Sequence, residues 1–220
     1  MPTQTIGIVV FGDIVDSRRD PGATEFLRSL RAELESADPR DARLAPFGFT
    51  QGDELQGLLA VGADPFLAVV RAGLRPDARP MRWAIVVGAV ERGRGPATER
   101  TGPAFHAARE LLARAKAQRD GLLVVTGDEA TDALLVDLCP LLPSLLEDLT
   151  PRQREVGRLL FVDGLRRIDA AERLGVSRAT VSVVADRGRL RRVGGLVRAL
   201  TLAFRAGTRA AGAAVPGGAA

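Results

Sequence analysis

Residues 167–184 read Arg167-Ile-Asp-Ala-Ala-Glu-Arg-Leu-Gly-Val-Ser-Arg-Ala-Thr-Val-Ser-Val-Val184. The stretch carries the requirements of two short helices joined by a tight turn. Ala171 is small where two helix backbones must approach, and Gly175, four residues on, tolerates the positive φ that such a turn demands. Ala170, Leu174, Val176, Val181 and Val184 supply an apolar seam, and Ser177 is a good N-cap for the second helix. Pro151, in the preceding LTPRQREVGRLLFVDGL, fits the first position of a supporting helix. The pattern is that of a helix-turn-helix. Its second helix would then read DNA, with Arg178, Ala179, Thr180 and Ser182 set against base edges. Arg187 and Arg191 follow further along the chain and are expected at the DNA as well.

Charge supports that placement. Residues 151–220 hold 14 arginines against five acids, an excess of +9, while residues 1–150 hold 17 basic and 22 acidic side chains, a balance of −5. The excess in one third of the chain points to a polyanion partner for that part, double-stranded DNA. All the basic residues except Lys116 are arginine, the better side chain for bidentate contact with phosphate and guanine. The region is similar to the helix-turn-helix of LuxR-type regulators and of the promoter-reading sigma-factor domain, over about 50 residues.

The remainder reads as alternating strands and helices. Ile6 to Phe11 is a buried strand, 22–36 a helix with Phe26, Leu27, Leu30 and Leu34 on one face, and Leu44–Thr50 with Leu55–Val61 a tight strand pair. A helix over 63–74, a strand over 82–90, a helix over 103–119, a strand over 122–126 and a helix over 128–136 follow. The order predicts a ferredoxin-like α+β domain over 1–140, with its helices on one face of a mixed sheet. Pro140 and Pro143 mark a linker at 141–148, 149–205 is the all-helical DNA-binding domain, and the Gly/Ala-rich 206–220 is a flexible tail. With 220 residues, two domains are affordable. No stretch has the ~18 apolar residues of a membrane span. The start of the chain lacks a signal-peptide pattern, and one Cys139 and one His106 make neither a disulfide nor a zinc set, so the expectation is a cytoplasmic protein.

Three pieces of the first domain carry chemistry. Val10–Ser17 (VFGDIVDS) places Asp13 and Asp16 at the end of the first strand, and Thr50–Gln56 (TQGDELQ) places Asp53 in a hairpin beside it. Two such carboxylates suit Mg²⁺ holding a nucleoside triphosphate, and Arg109 in 102–111 (GPAFHAAREL) would meet phosphate charge. Together these motifs resemble class III nucleotidyl cyclases and the related diguanylate cyclases. That resemblance implies metal ligation by Asp13 and Asp53, phosphate contact by Arg109, and a homodimer. The position of the purine-selecting lysine falls at Phe49, and Phe105 or His106 stands where an Asn should precede Arg109. Turnover is therefore not expected, although a nucleotide ligand is. Over essentially its whole length the chain resembles the SatD family, with the motifs GDIVDS, TQGDELQG and GPAFHAAR followed by a helix-turn-helix. The resulting expectation is a DNA-binding regulator with a degenerate cyclase-like sensor or dimerisation domain. The alternative is an active nucleotide cyclase whose C-terminal helices only localise it. Bland roles stand beside these. Asp13, Asp16 and Asp53 could serve caps and turns, Cys139 and Trp83 the core, and Arg189, Arg191 and Arg192 a solvated face.

Overall fold

The computed structural model describes residues 4–37, 43–50, 54–118 and 121–214. Five strands, β1 (Gln4–Ile14), β2 (Arg43–Phe49), β3 (Glu54–Leu59), β4 (Met81–Glu91) and β5 (Leu122–Val125), form one sheet in the order β2-β3-β1-β4-β5. All neighbours are antiparallel except β4 and β5. The sheet takes β1 as its centre because Ile8, Val9, Val10 and Phe11 are fully buried, and only a strand covered on both faces can bury such a continuous apolar run. Together with the helices this makes a mixed α+β protein.

Alternation along the strands divides the core in two. Ile8, Val10, Trp83 and Ile85 face α1 (Ala23–Ala37) and α2 (Phe66–Gly73), where Phe26, Leu27, Leu30 and Leu34 form the expected buried stripe. Val9, Phe11, Ala84 and Val86 face α3 (Pro103–Gln118) through Phe105, Ala108 and Leu112. The expectation of helices on a single face is thus corrected. Strands β3, β4 and β5 are mutually parallel and step the same way across the sheet, so crossovers of one hand would share a face. Helices α2 and α3 lie on opposite faces, so β3–α2–β4 and β4–α3–β5 have opposite hands. The first face is already occupied by α1, α2 and helices from later in the chain.

Those later helices are α4 (Glu129–Leu138), α5 (Leu141–Glu147), α6 (Pro151–Phe161), α7 (Arg167–Arg173), α8 (Arg178–Arg187) and α9 (Leu190–Ala214). The stretch expected to be a linker is α5, with Leu142, Pro143 and Leu146 buried. The tail expected to fray from Ala206 instead stays helical to Ala214, and residues 215–220 lie outside the described residues. Helix α9 holds because its inner face is anchored on the sheet half. Phe204 packs edge-on against Phe66 at 5.8 Å, and Thr201 Oγ1 donates to Asp64 Oδ2 at 2.9 Å. Gly207 lets the helix backbone come so close to Thr126 and Thr131 that a Cβ there would collide. Burial of Phe204 alone contributes about 1.5–3 kcal/mol. A second tie is ionic. Glu33 of α1 meets Arg75 at 3.1 Å and Arg71 at 3.9 Å from α2's side, and Arg158 of α6 at 2.8 Å. One hydrophobic core therefore runs from Ile8 to Phe204.

Candidate nucleic-acid interface

The α7–α8 pair is built by its end groups. At the end of α7, Gly175 N–H donates to Glu172 C=O at 3.1 Å and Val176 N–H to Ala171 C=O at 3.0 Å, the paired bonds of a Schellman motif. Gly175 sits at φ +63°, with open space around its missing side chain. Two residues on, Ser177 caps α8, its Oγ accepting from Thr180 N–H at 3.1 Å. Ala170, Ala171, Val181 and Ala185 are buried where the helices meet, with Leu174, Val176 and Val184 half-buried around them. Helix α6 supports the pair. Its Thr150 and Gln153 complete a capping box ahead of Pro151 at the first helical position. Gln153 lies against Gly188 at the far end of α8.

This framework leaves one side of α8 open. Arg178, Ala179, Thr180, Val183 and Arg187 are exposed, as are Arg189, Arg191 and Arg192 beyond it. None of those arginines has an ion-pair partner among the described residues, so their donors are available to an anion. Two exposed acids, Glu172 and Asp186, share the region. Ser182 differs from the other expected base readers. It is half-buried, and its Oγ accepts from Arg167 Nη1 at 3.3 Å, which turns the hydroxyl toward α7. Thr180 also shares its hydroxyl with Ser177, at 2.9 Å. At the start of α7, Arg166 grips Asp169 through two bonds of 2.8 and 2.9 Å, which hold the Asp169 carboxyl below its ordinary range.

Of the residues expected to hold Mg²⁺ and nucleotide, Asp13 and Arg109 fall within the described residues. Asp53 lies outside the described residues. Asp13 is inside β1, opposite Arg82 of β4 and Glu54 of β3, and its Oδ1 is 2.8 Å from Lys116 Nζ. Asp16 is exposed in a left-handed turn at φ 54°. Asp13 and Asp16 border a cavity of about 350 Å³ with Arg18, Arg19, Arg82 and Lys116, four cations around two acids. Arg109 is exposed on α3, its guanidinium carbon 6.0 Å from the Phe11 ring centre. Phe49, at the expected base-reading position, carries the Arg31 guanidinium over its ring at 5.7 Å. His106 is exposed on α3. Cys139 and Trp83 are core residues, and burial pushes the Cys139 thiol up to about 12.

Sequence reasoning missed Lys116, although it is the chain's single lysine and sits two helical turns from Arg109. It also missed Glu33, whose three arginine partners come from segments far apart in the chain. Among the described residues no three metal-binding side chains cluster, and no helix is long and apolar enough to cross a membrane.

The fold thus defines a mixed α+β chain with a helical C-terminal part. No protein family and no curated protein matches it. Among solved structures it is similar to a regulator of polyketide synthase expression from Bifidobacterium adolescentis, at 16% identity over 96% of this chain and 82% of that one, with a TM-score of 0.28. A likeness that slight carries neither fold nor function.

Proposed function

We propose that the chain is a DNA-binding regulator in which α7 and α8 act as a helix-turn-helix. Helix α8 enters the major groove with Arg178, Ala179 and Thr180 at base edges and Ser182 beside them, and Arg187 and Arg191 lie along the phosphates. The observation that carries this reading is the Schellman turn at Gly175 followed at once by the Ser177 cap. These present the first turn of α8 to solvent beside unpaired arginines. The strand order β2-β3-β1-β4, with α1 and α2 on one face, supports a ferredoxin-like sheet extended by α3 and β5. In this reading the sheet half is a sensor or pairing domain, and two copies engage half-sites about 34 Å apart.

Fluorescence anisotropy with labelled duplex DNA tests the proposal. Affinity should fall with salt at a log–log slope of roughly −0.9 for each phosphate contacted. Absence of binding at low salt, or an affinity indifferent to salt, would remove it.

A further inference from the structure

Helix α9 carries five arginines, Arg191, Arg192, Arg198, Arg205 and Arg209, and no acid in its 25 residues. Four of them follow one line. At 3.6 residues per turn, Arg191, Arg198, Arg205 and Arg209 fall with Leu202 inside an arc of about 60°. All five of these side chains are exposed, and the arc lies opposite the buried Leu200 and Phe204. From Arg191 to Arg209 the line is about 27 Å long.

These arginines make no ion pair among the described residues. By contrast, Arg28 and Arg31 on α1, Arg152 on α6 and Arg166 beside α7 each meet an acid three or four residues away. Arg205 and Arg209, one turn apart, repel each other. Arg191 and Arg192 stand in the first turn of α9, where the helix dipole disfavours cations. A face that only needs solvation requires neither arrangement. Anions set against it would offset both.

The spacing selects a long polyanion, because a small anion could reach only one or two of these side chains. An anionic bilayer fits poorly. A helix lying on a membrane sinks an apolar face beside its cations, but Val193, Leu200 and Phe204 of α9 are turned into the protein core. Leu202 alone is left outside. Arginine forks suit phosphate oxygens, which they can meet two bonds at a time.

We infer that α9 lays this line of arginines along the sugar-phosphate backbone of duplex DNA, beyond the stretch read by α8. The inference rests on the DNA-binding reading of α7 and α8. Arg191, on the phosphates in that reading, is where the line begins, and Arg198, Arg205 and Arg209 carry it straight on. Its length covers about eight base pairs. Contacts of this kind add affinity and footprint without adding sequence preference.

Anisotropy with the full chain tests the inference on two duplexes, one holding only the selected site and one longer by a helical turn on each side. The longer duplex should bind about tenfold more tightly. Changing Arg198→Gln, Arg205→Gln and Arg209→Gln together should abolish that gain and make the salt slope shallower by roughly 2.7 for each bound copy. The same variant should bind the short duplex as the unaltered chain does, and the triple change to Lys should keep the slope. The comparison of lengths on the unaltered chain stands even where a variant fails to fold. Equal affinity of the unaltered chain for both duplexes, or an unchanged slope in the Gln variant, would overturn the inference and leave the α8 reading in place. So would a Gln variant that loses only binding to vesicles of phosphatidylcholine and phosphatidylserine in equal parts. An unaltered chain that binds neither duplex would remove both readings.

Discussion

Lys116 Nζ stands 2.8 Å from Asp13 Oδ1, joining the last turn of α3 to the central strand across 103 residues of chain. Asp13 is buried while Lys116 is 42% exposed on its side chain, so water screens the pair without dissolving it. Lys116→Met should therefore lower stability by about 1–2 kcal/mol, between the values of surface and buried pairs. Lys116→Arg should recover most of it. Urea unfolding of the three proteins measures both, and equal midpoints would show that the ammonium is dispensable.

The two left-handed positions at the ends of α8 give opposite expectations. Gly175 has free space around it, so Gly175→Ala meets only backbone strain and should cost about 1–2 kcal/mol. Arg189 carries a side chain at φ 50°, and Arg189→Gly should relieve strain, raising stability by up to about 1 kcal/mol. Thermal melts of the two variants should shift in opposite directions.

On duplex DNA, Arg178→Ala and Arg191→Ala should separate. Arg178 lies at the exposed start of α8 and should cost about 1–3 kcal/mol on a preferred site while flattening sequence preference. Arg191, at the start of α9, should weaken all duplexes alike. Parallel anisotropy titrations on a selected and a scrambled duplex decide the matter, and identical ratios for both variants would refute the division of roles.

Cys139 provides a pH prediction. Its thiol is pushed from 9.0 to about 12 by burial, so the folded chain holds that proton more tightly than the unfolded one. The resulting stability is fully present below pH 9 and drains away as pH rises toward 12. At pH 8 a thiol reagent should modify Cys139 at the rate of unfolding, because the native thiolate is scarce. Modification as fast as that of a free thiol would contradict the burial.

Much of this architecture was legible because its signals are local. Ile8–Phe11 announces a strand covered on both sides, Phe26, Leu27, Leu30 and Leu34 recur at helical spacing, and Gly175 with Ser177 spells the turn and cap between α7 and α8. The misreadings have physical causes of their own. Pro140 and Pro143 read as breakers, but they fall at the cap and in the first turn of α5, where no intrahelical N–H bond is lost. Glycines near the C-terminus read as fraying, but Gly207 is the contact surface on Thr126 and Thr131. The hand of the β4–α3–β5 crossover, the Asp13–Lys116 pair and the turning of Ser182 toward Arg167 depend on residues distant in the chain, which no periodicity records.

Because α9 runs back from the α8 end to bury Phe204 against Phe66, the chain is not a string of exchangeable cassettes. Its C-terminal third cannot be grafted onto another protein without stripping apolar surface from both parties. Calorimetry should accordingly show a single melting endotherm, its van't Hoff and calorimetric enthalpies agreeing. In descent, the helical third and the sheet would have to change together, each substitution on one side of the seam tested against the other.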